Sequence, residues 1–307
     1  MNYLHIGDNV CGIPQSIVKA QQQAYGYQLA HTLSFNPDAQ GHRADFQYNV
    51  TNQTHPSVVK RVLRRAGIIW MYGCINYDVF QFVGNSIANG LDIPLWKLMG
   101  KKVTIEYHGS EIRNKKVPFF HRYADAVFVS TPDLLEFVPG AIWLPNPIFV
   151  EKYKPHYTIE TVVAHAPSDR ELKGTQHILD VFDSVKKAVP TTTLDLVEGV
   201  SYQEALERYR KSTVMIDQLK IGWYGMVALE CMAMGVPVMC YIREDLKKYL
   251  GDEMPLYPTT PETLEDDLLL LLNDTDLQNE LSMRGKEYVS TIHNPQRIAK
   301  IIAGAIT

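Results

Sequence analysis

Short apolar runs rich in β-branched and aromatic residues recur along the first half of the chain, at Tyr3–Ile6, Ala30–Phe35, Asp78–Val83, Lys102–Tyr107, Ala126–Ser130 and Ala141–Leu144. Runs that stay apolar instead of alternating predict parallel strands covered on both faces. Helix-length segments at Pro14–Tyr25, Pro56–Ala66 and Thr131–Phe137 lie between them. The result is a βα alternation, which implies a parallel sheet with right-handed crossovers. From Leu144-Pro-Asn-Pro147 to Tyr153-Lys-Pro155 prolines interrupt the pattern and predict a linker. The alternation then resumes, with strands expected at Thr161–Ala164, Thr193–Val197, Thr213–Asp217 and Pro237–Tyr241, and helices at Thr175–Ala188, Tyr202–Lys211, Gly225–Met234 and Glu244–Leu250. The remaining sequence is helical in pattern, including the leucine-rich Thr263–Leu272 and a closing segment Pro295–Ala305. The fold class is therefore α/β, with two Rossmann-like domains expected to face each other across a cleft. The boundaries are 1–147, 148–292 and a C-terminal helix in 293–307 packing back toward the first domain. In open α/β sheets ligands bind beyond the carboxyl ends of the strands, so chemistry is sought in those loops.

The chain has 307 residues, 46% hydrophobic and 21% charged, which is long enough for two such domains and unlike a disordered protein. It has no apolar run of about 18 residues and no signal-like start, so a cytoplasmic protein is expected. Cys11, Cys74, Cys231 and Cys240 show no C-x-x-C spacing and read as reduced core residues. Net charge divides unevenly. Residues 1–150 hold 13 Lys and Arg against 10 Asp and Glu, a net of +3, whereas residues 151–307 hold 17 against 24, a net of −7. Neither half is basic enough to suggest a nucleic-acid partner.

The segment from Ile221 to Val238 places Gly225 at an expected helix start and a single carboxylate, Glu230, five residues on in an otherwise apolar helix. Exposed amides at a helix N-terminus suit a diphosphate, and Glu230 suits two vicinal ribose hydroxyls. A buried helix with a packing glycine and a locally bonded Glu is the bland alternative. The segment resembles the C-terminal signature of the retaining, family 4-like GT-B glycosyltransferases, E-x-[FY]-G-x-x-x-x-E followed by A-x-G-x-P-V. Tyr224, Gly225, Glu230, Ala233, Gly235, Pro237 and Val238 match, while Gly222 stands where the family has its first Glu. That Glu contacts hydroxyls of the donor sugar in the family, so this chain departs at donor-sugar recognition, with Asp217 and Gln218 as candidate substitutes. Met226 and Val227 continue the helix start toward the donor.

A second element, His165-Ala-Pro-Ser-Asp-Arg-Glu-Leu-Lys-Gly-Thr175, resembles the family's strand, basic loop and Lys-Gly junction. The resemblance assigns Lys173 to the pyrophosphate, with Arg170 either there or solvated, and Ser168 either capping or contacting phosphate. Glu198 and Gly199 fall where the family lines the nucleotide base. In the first half, Tyr107-His-Gly-Ser-Glu-Ile-Arg113 resembles the His-Gly-x-Asp loop, with Glu111 in the Asp place. It implies His108 at the reacting face of the donor, and Glu111 and Arg113 on the acceptor side. The loop Gly7–Pro14, containing Asn9 and Gly12, matches the position of the first glycine loop. His108, Lys173 and Glu230 are the catalytic candidates.

The resemblance implies a hexosyltransferase that uses a nucleotide sugar, UDP first and GDP second. The acceptor would be an unidentified glycan, lipid-linked group or small molecule, in polysaccharide or glycoconjugate synthesis. It implies neither cofactor nor metal, and the chain has no D-x-D motif. Retention would proceed by front-face attack, with a β-phosphate oxygen taking the acceptor's proton. A silent nucleotide-sugar binder and a sugar-nucleotide epimerase of the same fold are the alternatives; a dinucleotide oxidoreductase is disfavoured because no G-x-G-x-x-G follows the first strand. Finally, in His55–Ala66 apolar residues 58, 59, 62 and 63 alternate with cations 60, 61, 64 and 65. The expectation is a helix packed on the core with a solvated basic face, or else peripheral membrane contact through 56–66.

Overall fold

The computed structural model describes the chain except residues 8–11, 27–29, 36–43, 49, 52, 85, 87–89, 110, 158 and 252–253 and the side chains of 72–76. Two compact units result: Met1–Pro147 with Asn294–Thr307, and Ile148–His293.

The first unit runs β1 (Tyr3–Ile6), α1 (Ile13–Tyr25), β2 (Ala30–Ser34), β3 (Phe46–Gln47), α2 (Val58–Asn76), β4 (Val79–Val83), α3 (Ile93–Leu98), β5 (Lys102–Tyr107), β6 (Ala126–Val129) and β7 (Ile142–Trp143). Its strands are all parallel, in the order β3-β2-β1-β4-β5-β6-β7. The chain steps one way from β1 to β3 and the other way from β3 to β7. Right-handed crossovers therefore put α1 on one face of the sheet, and α2, α3 and the 3-10 turn Phe119–Tyr123 on the other. One core cluster records the second face: Ile68 and Ile69 of α2, Ile93 and Trp96 of α3 and Phe120 of the turn pack with Phe80, Phe82, Val103 and Ile105. On the first face α1 packs against the C-terminal helix Pro295–Ala305.

The second unit runs β8 (Val162–His165), α4 (Arg170–Lys173), α5 (Thr175–Ala188), β9 (Thr193–Leu196), α6 (Tyr202–Tyr209), β10 (Val214–Ile216), α7 (Met226–Met234), β11 (Val238–Cys240), β12 (Tyr257–Pro258), α8 (Leu264–Asn273) and α9 (Thr275–Ile292). Its sheet is parallel, in the order β12-β11-β10-β8-β9. Helix α7 is apolar on every side, as a central helix must be, and is buried from Ala228 to Met234. Gly235 ends it at φ 86°, a left-handed conformation that favours glycine.

Several expectations are corrected. Thr131–Phe137 and Glu244–Leu250 form 3-10 turns, at Pro132–Glu136 and Glu244–Tyr249, in place of α-helices. Strands β3 and β12 and the short α3, which carries Pro94 in its first turn, have too few residues to show a period. Helix α2 extends well past Ala66, and its faces are not the expected ones. Arg61 donates to the carbonyls of His55 (2.7 Å) and Pro56 (3.2 Å), and Arg65 donates to that of Val50 (3.1 and 2.7 Å) and lies over the Phe35 ring. With these arginines turned inward, Val59, Leu63 and Trp70 stand exposed. The expected apolar contact with the core is thus made by Ile68 and Ile69 instead of residues 58–63.

The leucine run of α8 discriminates its faces sharply. Leu268 is fully buried and Leu270 is 49% exposed. Leu268→Ala should cost about 2–5 kcal/mol and Leu270→Ala about 0.5 kcal/mol or less, measured by urea unfolding of the purified chain.

Candidate functional site

In the second unit, β8, β10 and α7 bring three loop ends together around one carboxylate. Asp217, just past β10 and 1% exposed, accepts from Lys173 Nζ at 2.9 Å through Oδ1 and from the Gly225 amide at 2.5 Å through Oδ2. Gly225 has an extended backbone open to any residue (φ −103°, ψ −173°), so its requirement is space. A Cβ there would meet Lys173 Nζ at 3.1 Å and the Asp217 oxygens at 3.4 and 3.5 Å. Beside the junction His165 is fully buried, Nδ1 against the Ile216 carbonyl (2.8 Å) and Nε2 against Thr175 Oγ1 (2.9 Å). Burial lowers its pKa, so the neutral ring donates from Nδ1 and accepts from Thr175. The motifs give His165 no role, although a polar residue ending an apolar strand is its signal.

Glu230 lies within α7, 6% exposed. One oxygen accepts from Tyr202 OH at 2.7 Å, and the other takes no hydrogen bond among the described residues. Burial, partly offset by that bond, pushes its pKa up to about 7. Tyr202, at the start of α6, and nearby Tyr153 carry no signal in the sequence.

The other assignments fare differently. Asp217 is occupied internally and has no surface to offer a sugar hydroxyl, and Gln218 is equally buried. Tyr224 is also an internal anchor: its hydroxyl bonds Tyr288 OH (2.8 Å) and His293 Nε2 (2.9 Å), tying the loop to α9. Helix α4 is capped by Asp169, whose Oδ1 accepts from the Leu172 amide, so Ser168 is not the cap. The Gly225 amide is used by Asp217, and Met226 and Val227, which follow it in the first turn of α7, are both half-buried. Arg170 is bound to Glu198 through two nitrogens (Nε to Oε1 at 2.9 Å, Nη2 to Oε2 at 2.5 Å), and Gly199 is exposed beside them. Gly222, at φ 88°, is covered by Arg243, whose Cγ and Cδ fill the space that a Cβ would need. The place of the family's first Glu is therefore filled by an arginine stem. A cavity of about 270 Å³ opens between Arg170, Gly174, Thr175 and Lys220; Lys220 is a cation outside the motifs.

In the first unit His108 follows β5, and its Nε2 lies 3.3 Å from Glu106 Oε1, both nearly inaccessible. The contact falls outside hydrogen-bonding geometry, since both ring nitrogens and that oxygen are buried without a partner. Glu106 accepts from Gln81 Nε2 at 2.6 Å, and burial raises its pKa. It escapes a motif reading because it sits inside a strand. Glu111 accepts the His108 amide at 3.1 Å and packs over Gly84. Arg113 is tied to the buried Asp133 (2.6 and 3.2 Å), which makes it a brace between two loops. Gly12 caps α1 at φ 69°, while Asn9 lies outside the described residues. Cys231 and Cys240 are buried free thiols; Cys11 lies outside the described residues, as does the side chain of Cys74. No group of three or more potential metal ligands occurs, and no helix is long and apolar enough to cross a membrane, among the described residues.

No family model and no curated protein matches the chain. Solved structures do. Sucrose-phosphate synthase from Thermosynechococcus elongatus aligns over 99% of this chain and 98% of its own at 14% identity and TM-score 0.68. Alr3699/HepE of Anabaena, solved in complex with UDP and glucose, aligns over 100% and 99% at 12% identity and TM-score 0.64. A UDP-N-acetylglucosamine 2-epimerase from Listeria monocytogenes, so described provisionally, aligns over 99% and 95% at 14% identity and TM-score 0.61. At these identities what is shared is the fold, two Rossmann-like domains of the GT-B type.

Removing one partner of a buried ion pair strands the other. Asp217→Asn should therefore destabilise by about 3–5 kcal/mol. Adding Lys173→Met should recover at least half of that loss in denaturant titrations.

Proposed function

We propose that the second unit binds the diphosphate and ribose of a nucleotide sugar, UDP before GDP, and that the protein transfers its hexose to an acceptor hydroxyl with retention of configuration. The observation that carries this reading is the pairing of two features on α7. Its first turn starts at a glycine backed by Lys173, and five residues on a buried carboxylate keeps one oxygen open. A diphosphate at the helix start would meet the positive end of the helix and the Lys173 ammonium, and ribose hydroxyls would donate to Glu230. UDP and UDP-sugar complexes among the solved structures of this fold support the ligand class. In the reaction, the bond from the anomeric carbon to the β-phosphate oxygen breaks and one to the acceptor oxygen forms on the same face. The acceptor's proton passes to the departing diphosphate. The protein's part is positioning and stabilising charge, with His108 and Glu111 the first-unit residues assigned to sugar and acceptor.

A second reading, epimerisation of a UDP-sugar, is favoured by the buried Glu106 and His108 pair, an acid and a base in contact, and by 2-epimerases among the similar structures. The filled position at Gly222 favours a third, binding without turnover. Incubation with UDP-sugars and chromatography of the products separates the three: free UDP with a glycoside, a new UDP-sugar, or unchanged donor.

Titration calorimetry tests the site itself. Lys173→Ala and Glu230→Gln should each weaken UDP by roughly tenfold or more, the lysine variant with the larger change in salt dependence. A carboxylate must be ionised to accept two hydroxyls. Affinity for UDP relative to 2′,3′-dideoxy-UDP should therefore rise with pH through about 7, and Glu230→Gln should flatten that rise. The same shift acts on stability with opposite sign: folded Glu230 holds its proton longer than the unfolded chain, so stability falls as pH rises from the ordinary carboxylate range to about 7.

A further inference from the structure

The layer formed by α2, α3 and the turn Phe119–Tyr123 covers one face of the first unit's sheet, and its outer side is apolar. Val59, Leu63 and Trp70 lie within about 40° of one another around α2 and are 68%, 66% and 55% exposed. Met71 is exposed on an adjoining side of α2, Leu91, Leu95 and Leu98 stand out along and just before α3, and Phe119 stands out on the turn. Most other large apolar side chains of the unit are buried.

Charge on the same segments has one sign. Residues 56–71, 91–101 and 114–123 carry Lys60, Arg61, Arg64, Arg65, Lys97, Lys101, Lys115, Lys116 and Arg122 against a single acid, Asp92. Asp92 is spent inward, accepting from Ser86 Oγ and Trp96 Nε1. Arg61 and Arg65 hold backbone carbonyls and fix the rotation of α2, and Lys97 pairs with Asp125. Lys60 and Arg64 are exposed and lie along one edge of the apolar stripe.

We propose that this layer docks on an anionic lipid surface, with Leu63, Trp70, Leu98 and Phe119 entering the headgroup and acyl boundary and the lysines and arginines contacting lipid phosphates. An apolar stripe edged by cations has the chemistry of an interfacial helix, and long basic side chains can reach headgroups while their stems stay apolar. A second copy of the chain is a poor occupant, since a two-fold contact would set nine cations against nine.

Co-sedimentation of the full chain with vesicles of phosphatidylcholine alone, or of phosphatidylcholine with phosphatidylglycerol, tests this. Binding is expected to the anionic vesicles and to weaken with added salt. Each cation near such a surface is worth about fivefold in partitioning, so Lys60→Glu with Arg64→Glu should lower binding more than tenfold. Leu63→Ser with Leu98→Ser should lower it even at low salt, and all four positions are exposed, so melting by circular dichroism should be unchanged. Trp70 emission should shift to the blue on anionic vesicles and the shift should vanish in Trp70→Phe. Equal binding to both vesicles, indifference to the charge reversals, or a dimer by light scattering that these variants dissolve would overturn the proposal. Nucleotide affinity, read separately on the second unit, is expected to stay constant throughout.

Discussion

A carboxylate taken out of water is tolerated only where its oxygens find donors, and Asp217 finds them on two different loops. Through Lys173 it fixes the end of α4, and through the Gly225 amide it fixes the start of α7. The backbone reinforces the same junction, with the Leu219 amide on the Lys173 carbonyl at 3.1 Å and the Asp217 amide on the Met239 carbonyl at 2.9 Å. His165 extends it sideways to α5 through Thr175. Because α7 is apolar all round, no polar stripe of its own sets its rotation about its axis. The junction does so, and the location of Glu230 follows from it.

This explains both the strength and the failures of reading motifs from sequence. The longer strands and the glycine-led α7 are legible because they follow from local pattern: apolar runs and a glycine before a helix. The partner of each polar group is not. Asp217 and Lys173 lie 44 residues apart, and Tyr224 and His293 lie 69 apart. From sequence alone, Asp217, Tyr224 and Arg113 look like side chains available to a ligand, and in the fold each is spent on another residue. Glu230 is legible as a lone acid in an apolar helix, but Tyr202, which takes one of its oxygens, sits on a different helix and cannot be read from local pattern. Helix α2 departs from expectation for a related reason. Its arginines find backbone carbonyls at Val50 and His55, which turns the helix away from the setting that its first residues suggest.

The first unit stores its own polarity across the sheet. Thr32, His5, Gln81 and Thr104 occupy adjacent register positions on β2, β1, β4 and β5, all buried. Burial lowers the His5 pKa to about 4, so that ring is neutral, bonded to Gln21 of α1 at 3.0 Å. Glu106, two residues beyond Thr104 along β5, joins the row by accepting from Gln81 Nε2 and lies next to His108. A polar seam under helices costs stability unless every member is satisfied, and here Gln81 Oε1, Thr104 Oγ1 and Glu106 Oε1 lack partners. The unmatched groups of Glu106, Tyr107 and His108 lie together at the carboxyl end of β5.

That seam also bears on the charge of the surface. The half-chain net of +3 treats every acid as an outward charge, yet Glu106 and Asp133 are 1% and 2% exposed. Others are bound locally: Asp45 accepts from Thr32 and Asp92 from Trp96. The cations are distributed the opposite way, with nine of the 13 on three consecutive segments that the right-handed crossovers place on one face. A modest net charge therefore resolves into acids drawn into the sheet and loops and cations left on the α2 and α3 layer. The field outside that layer is set by this separation, and the small sum conceals it.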